Sequence, residues 1–240
     1  MATTEMNPEQ AVRSRYGPAA AEKENALCCP VDYDPKFLAV IPDEILERDY
    51  GCGDPSRHLN PGETVLDLGS GGGKICYIAS QVVGPEGRVV GVDMNDEMLA
   101  LARAHRQSIG DALGYHNVEL KKGKIQDLTL DYGRLEARLA ASPVTTAAEL
   151  DELEAWKAKE RQENPMIATA SIDVVVSNCV LNLVDPRAKS ALFHEMHRVL
   201  EKGGRVVISD IVSDTCPSIC GTIRSYGAVA FRARSGKTCS

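Results

Sequence analysis

Three kinds of residue in this chain have types and spacing that could do chemistry. The first is a glycine run, Gly69-Ser-Gly-Gly-Gly73, directly after Thr64-Val-Leu-Asp-Leu68 and directly before Lys74-Ile-Cys-Tyr-Ile-Ala-Ser-Gln81. A short apolar run, a glycine turn and a helix start together present backbone N–H groups to a ligand with no side chain between. The second is a pair of carboxylates. Asp67 lies inside the apolar run, and Asp93 ends a second one, Gly87-Arg-Val-Val-Gly-Val-Asp93. A carboxylate at the end of a second strand accepts the hydroxyls of a ribose. The third kind is thiol. Cys52 is bracketed by Gly51 and Gly53, Cys179 follows the apolar run Ile172–Asn178, and Cys28 and Cys29 are adjacent. A lone cysteine is most often a small buried apolar residue, which is the reading given to Cys76 on the first helix. Packing is a poor reason for a cysteine between two glycines, and a strand end is where ligands gather. Zinc is the rival use of thiols, but the chain has no C-x-x-C pair with partners at finger spacing.

The elements that must position these residues follow from periodicity. Segments 64–68, 87–93, 117–123, 172–178 and 204–210 read as five strands, the first two of them buried. They alternate with helices at about 74–81, 96–109 and 187–200. Strands alternating with helices predict a parallel, doubly wound α/β sheet, whose strand ends bring Gly69–Gly73, Asp93 and Cys179 to one rim. Asn95 or Asp96 is suited to cap the second helix. Pro42–Arg48 reads as a short helix. Between the third and fourth strands, residues 124–171 hold the capping-box pattern Thr146-Ala-Ala-Glu149 and then a run rich in Glu, Lys and Ala, ended by Pro165. This is an exposed helical insert with a solvated charged face, to which no chemistry is assigned.

Composition narrows the function classes. A chain of 240 residues fits one α/β domain with appended segments. Its 27 basic and 34 acidic residues leave a net charge of −7, which argues against a nucleic-acid-binding face. No apolar run approaches the roughly 18 residues of a membrane span, and the N-terminus does not read as a secretion signal. Eight cysteines in such a chain point to thiol chemistry in a reducing compartment, hence to the cytoplasm.

The glycine run departs from a dinucleotide fingerprint, because Lys74 stands where that motif has its third glycine. With the preceding Asp67 it resembles motif I of the class I S-adenosylmethionine methyltransferases, and Asp93-Met94 resembles the second acid of that pattern. A more specific resemblance lies in Arg15-Tyr-Gly17, Leu27-Cys-Cys-Pro-Val31, Glu47-Arg-Asp-Tyr-Gly-Cys-Gly53 and Val176-Ser-Asn-Cys-Val-Leu-Asn-Leu183. On these the chain, over about residues 12–214, is similar to the arsenite S-adenosylmethionine methyltransferases. The resemblance implies a Rossmann-like class I fold with S-adenosylmethionine as cofactor. Asp67, Gly69, Ser70, Gly71, Asp93, Met94 and Asn178 would bind it. It implies that As(III), as arsenite or a thiol conjugate, is held by Cys52 and Cys179 with a third cysteine from a C-terminal region. It also implies that Cys28 or Cys29 is a redox partner able to pair with Cys52, and that glutathione or thioredoxin serves as reductant.

The expected organisation is an N-terminal helical and loop segment with thiols (1–60), the cofactor domain (61–214) and an aberrant tail (215–240) in place of the C-terminal arsenic-binding region. The tail departs from the family pattern. Codons for 225–238 can be chosen that give the family's continuation in another frame, so truncation or a frameshift is the expected origin. The last strands are expected to be missing and the fifth strand to be an open edge. Three other readings stand beside the leading one. They are a non-catalytic remnant binding the cofactor or arsenic, a methyltransferase acting on another small acceptor, and a nicotinamide oxidoreductase, the last disfavoured by Lys74.

Overall fold

The computed structural model describes residues 31–212 and 225–232. The readings placed on Arg15–Gly17, Cys28 and Cys29 lie outside the described residues. Two short helices, α1 (Pro35–Leu38) and α2 (Asp43–Glu47), and a 3-10 turn at Pro55–His58 lead to β1 (Thr64–Leu68). Then follow α3 (Lys74–Val83), β2 (Arg88–Asp93), α4 (Asp96–Leu113), β3 (Val118–Lys122), α5 (Tyr132–Ala141), α6 (Ala147–Glu163), β4 (Ile172–Asn178), α7 (Lys189–Val199), β5 (Leu200–Val212) and β6 (Ser225–Arg232).

The sheet order is β3-β2-β1-β4-β5-β6, with the first five strands parallel and β6 antiparallel to β5. The chain order reverses between β1 and β4. An open α/β sheet parts its helices there and leaves a crevice at the carboxyl ends of the strands. Alternate strand residues serve two cores. Val65, Val89, Val174 and Val176 pack with Ile75, Ile78 and Leu99 on one face. Leu66, Leu68, Val90, Val92 and Val175 pack with Leu192 and Met196 on the other. Burial on both faces is why these strands read as unbroken apolar runs.

The insert is helical, as the capping box predicts. Thr146 accepts from the Glu149 N–H at 3.2 Å, and the Glu149 side chain reaches back to the Thr146 N–H at 2.9 Å. α6 is exposed along most of its length and is tied down near its end, where Arg161 Nη2 meets Asp127 at 2.9 Å and Glu160 meets Arg134 at 2.9 Å.

One expectation is corrected. The strand beyond β5 is not missing: Arg205–Val212 pairs with Arg232–Ser225 in continuous antiparallel register. Tyr226, Val229 and Phe231 are good strand formers. The Gly and Ala between them weaken the alternation that would have announced the strand. Antiparallel pairing gives the β5 backbone groups their partners, so β5 is not the open edge of this sheet.

Candidate functional site

The cleft at the β1/β4 switch is lined by Asp67, Gly69–Gly72, Asp93, Met94, Asn178 and Cys179, together with Asp49–Gly51 from the segment before β1. Two glycines of the turn after β1 shape the cleft. Gly69 has φ +76°, and a Cβ there would stand 2.5 Å from Val180. Gly71 has φ +51°, with open space where a side chain would point, so bare backbone faces the cleft. The Gly71 N–H donates to Asp93 Oδ2 at 2.8 Å, and the Asn95 N–H donates to Oδ1 at 2.8 Å. Asp93 is thereby clamped at the end of β2. Burial pushes its carboxyl above the ordinary carboxylate value, against the N–H groups of Asn95, Gly71 and Met94. Asn95 also caps α4, accepting from the Met98 N–H at 3.0 Å.

Asp67 is 2% exposed. Burial raises its carboxyl to about 7. The Cys76 thiol, donating at 3.3 Å, opposes that shift, and the charges of Asp93 and Asp49 add to it. Cys76 is fully buried and behaves as the small packed residue expected of it. Ser70 is buried, and its Oγ has no hydrogen-bond partner among the described residues. It lies below the turn, where a Cβ at Gly91 would strike both Ser70 and Cys76.

The bare loop, the clamped Asp93, the buried Asp67 and the unpartnered Ser70 hydroxyl fit a nucleoside-bearing cation. Hydroxyl acceptors lie at one end of the cleft, and an ionisable carboxyl lies beneath the turn.

At the other side of the cleft are the thiols. Cys52 and Cys179, 127 residues apart in sequence, are joined as a disulfide with a Cα–Cα distance of 5.7 Å. The two expected thiolate ligands are therefore brought together, but in oxidised form. Two features produce the juxtaposition. Cys179 has φ +59°, an unusual conformation for a side chain of this type, and its N–H donates to the Ser209 carbonyl at 2.7 Å. The Cys52 loop is stapled by Asn178, whose Oδ1 accepts from the Cys52 and Gly53 N–H groups at 3.0 and 3.1 Å. Its Nδ2 donates to the Gly53 carbonyl at 2.8 Å. Asn178 lines the cleft, and its amide is engaged with the thiol loop.

Sequence reasoning missed contributors at three places. Lys74, 7% exposed, pairs with Asp49 and lies 3.9 Å from the centroid of the Tyr33 ring, tying the N-terminal segment to the start of α3. Asp49 sits within the Glu47–Gly53 motif, so proximity to Cys52 was the available signal. Ile125 and Gln126, after β3, close the cleft beyond Asp93. No signal in that loop marks them. Asp210, near both thiols, is the third.

A family model described as "Methyltransferase domain" matches residues 59–136 and 146–237, and so runs through β6. An arsenite methyltransferase of Aquipseudomonas alcaligenes is 32% identical over 212 residues, 85% of this chain and 51% of that one. One of Halobacterium salinarum is 37% identical over 182 residues, 75% of this chain and 35% of that one. The chain thus spans about half the length, or less, of these curated relatives. A crystal structure of an arsenic (III) S-adenosylmethionine methyltransferase from Chlamydomonas reinhardtii superposes with a TM-score of 0.53 at 30% identity. That match covers 76% of this chain and 50% of that one. Among the described residues no helix is long and apolar enough to cross a membrane.

Proposed function

The chain belongs to the methyltransferase-domain family and is related within it to the arsenite methyltransferases; from that premise we propose that it transfers a methyl group from S-adenosylmethionine to trivalent arsenic held by Cys52 and Cys179. The observation that carries the reading is the meeting of two distant cysteines at the rim of the cleft that holds the glycine turn and Asp93.

In this reading Asp93 accepts the ribose hydroxyls, Gly69 and Gly71 let backbone approach the cofactor, Met94 covers the base, and Asp67 faces its positive charge. S-adenosylmethionine supplies an electrophilic methyl on a sulfonium. The protein has no proton to remove from the acceptor, because As(III) attacks with its own lone pair. This suits a cleft whose remaining groups hold and position. Thiolates are the natural ligands for so soft an element. The Cys52–Cys179 bond must first be reduced, which gives a thiol reductant such as glutathione or thioredoxin a place in the cycle. Methylation formally oxidises arsenic, and thiols return it to the trivalent state by forming a disulfide.

Calorimetry tests the two halves separately. Asp93→Ala is expected to weaken S-adenosylmethionine binding by about 1.5–3 kcal/mol, the loss of hydrogen bonds to a charged group. Cys52→Ser and Cys179→Ser are each expected to abolish arsenite binding by the reduced chain while leaving cofactor affinity near normal. Arsenite titrating either serine variant as it does the wild type removes the thiol site. Binding of both ligands without methyl transfer makes the chain a binding module of the same specificity.

A further inference from the structure

A third donor stands beside the two sulfurs. Cys52 Sγ, Cys179 Sγ and a carboxylate oxygen of Asp210 all lie within 4.8 Å of one another, with Cys52 buried and the other two half-buried. Asp210 reaches this place because β5 runs beside β4 in register, Asn178 opposite Ser209, so Cys179 and Asp210 each follow the last of the paired positions. Its carboxylate is held in direction by Asn182, whose N–H donates to Oδ2 at 3.2 Å and whose Nδ2 donates to Oδ1 at 2.8 Å. The group is thus placed by the fold rather than swinging in solvent.

Arsenous acid carries three hydroxyls on one arsenic. Condensing with two thiols forms two As–S bonds and breaks two As–O bonds. The two thiol protons leave in two waters, and no electrons change hands. One As–OH remains. Held beside a buried sulfur, that O–H needs a partner. A carboxylate is a strong one, since a bond with an ionised acceptor exceeds a neutral one. We propose that Asp210 completes the acceptor site by accepting a hydrogen bond from the hydroxyl that arsenic retains. The substrate bound by this chain is then a dithiolate hydroxide, fixed at three points. The inference rests on the reading of Cys52 and Cys179 as the arsenic ligands. It adds a selectivity which those two residues alone lack. An arsenical that already bears one organic group gives up both its hydroxyls to the thiols and has nothing left for Asp210. Asp210 therefore favours inorganic arsenite.

The test uses the full chain, reduced with a phosphine under anaerobic conditions so that no added thiol competes, and titrates it with arsenite and with phenylarsine oxide. Asp210→Ala is expected to weaken arsenite binding by about tenfold or more while leaving phenylarsine oxide within about twofold of the wild type. Asp210→Asn keeps an acceptor without the charge, and its arsenite affinity falls between the two. X-ray absorption at the arsenic edge is expected to report two As–S bonds and one As–O bond in the wild type. Three As–S bonds, equal losses for both ligands, or no loss for either overturns the role of Asp210. Phenylarsine oxide binding that survives Cys179→Ser overturns the dithiol reading instead, so the two failures are distinct.

Discussion

Asp67 and Asn178 show how single residues set the working conditions of the site. Asp67 is buried without a cation beside it, and desolvation lifts its carboxyl to about 7. Its proton is held more tightly in the fold than in the unfolded chain. Its contribution to stability is therefore greatest below the ordinary carboxylate range and is lost as pH rises through about 7. A cationic cofactor favours the ionised form. Affinity for S-adenosylmethionine is accordingly expected to rise by up to about tenfold between about pH 6 and 8, with proton release on binding. Asp67→Asn is expected to bind more weakly and to flatten that profile. Calorimetry in buffers of different ionisation enthalpy reads both effects, and an unchanged slope in the variant removes Asp67 from the linkage. Asn178 spends three hydrogen bonds on the Cys52 loop. Replacing it with alanine leaves two N–H groups and a carbonyl to find water, at an expected cost of about 1–3 kcal/mol. The Cys52–Cys179 bond is also expected to form more slowly. A thermal melt and a timed thiol assay check these, and a variant with wild-type melting and oxidation rates contradicts the staple.

At the scale of elements, the loop 51–53 lies so close to β5 that a Cβ at Gly53 would stand 2.6 Å from Ser209 Oγ. Gly53→Ala is expected to push the loop off β5 and carry Cys52 out of reach of Cys179. Mass spectrometry of the oxidised protein should then find both thiols free, whereas an intact bond shows that the loop has room to spare. The middle of β5 is anchored separately, where Arg205 makes two contacts of 2.7 Å with Glu63 and donates to the His58 carbonyl. Much of this was legible in residues. The central strands β1, β2 and β4 announce themselves as apolar runs because both their faces are buried, β3 is marked by its place in the alternation of strands and helices, and the capping box of α6 is local. The bond between Cys52 and Cys179, the staple by Asn178, the Lys74–Asp49 pair and the approach of Asp210 were not legible. Each joins residues from separate strands or loops, and nothing in local composition encodes such a meeting. β6 escaped notice because its Gly and Ala positions blur the alternation on which strand detection depends.

For the whole molecule, a doubly wound sheet places the glycine turn, Asp93 and the thiol pair on one rim, and the antiparallel β6 closes the far side of β5. A chain ended after Val212 is expected to expose the β5 backbone and to self-associate. Sedimentation showing it monomeric and cooperatively folded contradicts that role for β6. The central claim is that this rim moves a methyl group to arsenic held by two thiols. The most direct measurement is transfer of labelled methyl from S-adenosylmethionine to arsenite in an anaerobic single turnover. It is run with the chain reduced, with the Cys52–Cys179 bond intact, and as Cys179→Ser. Labelled methylarsenic from the reduced chain alone is the predicted result. Equal product from the oxidised chain or from Cys179→Ser, or none from the reduced chain despite bound cofactor and arsenite, contradicts it.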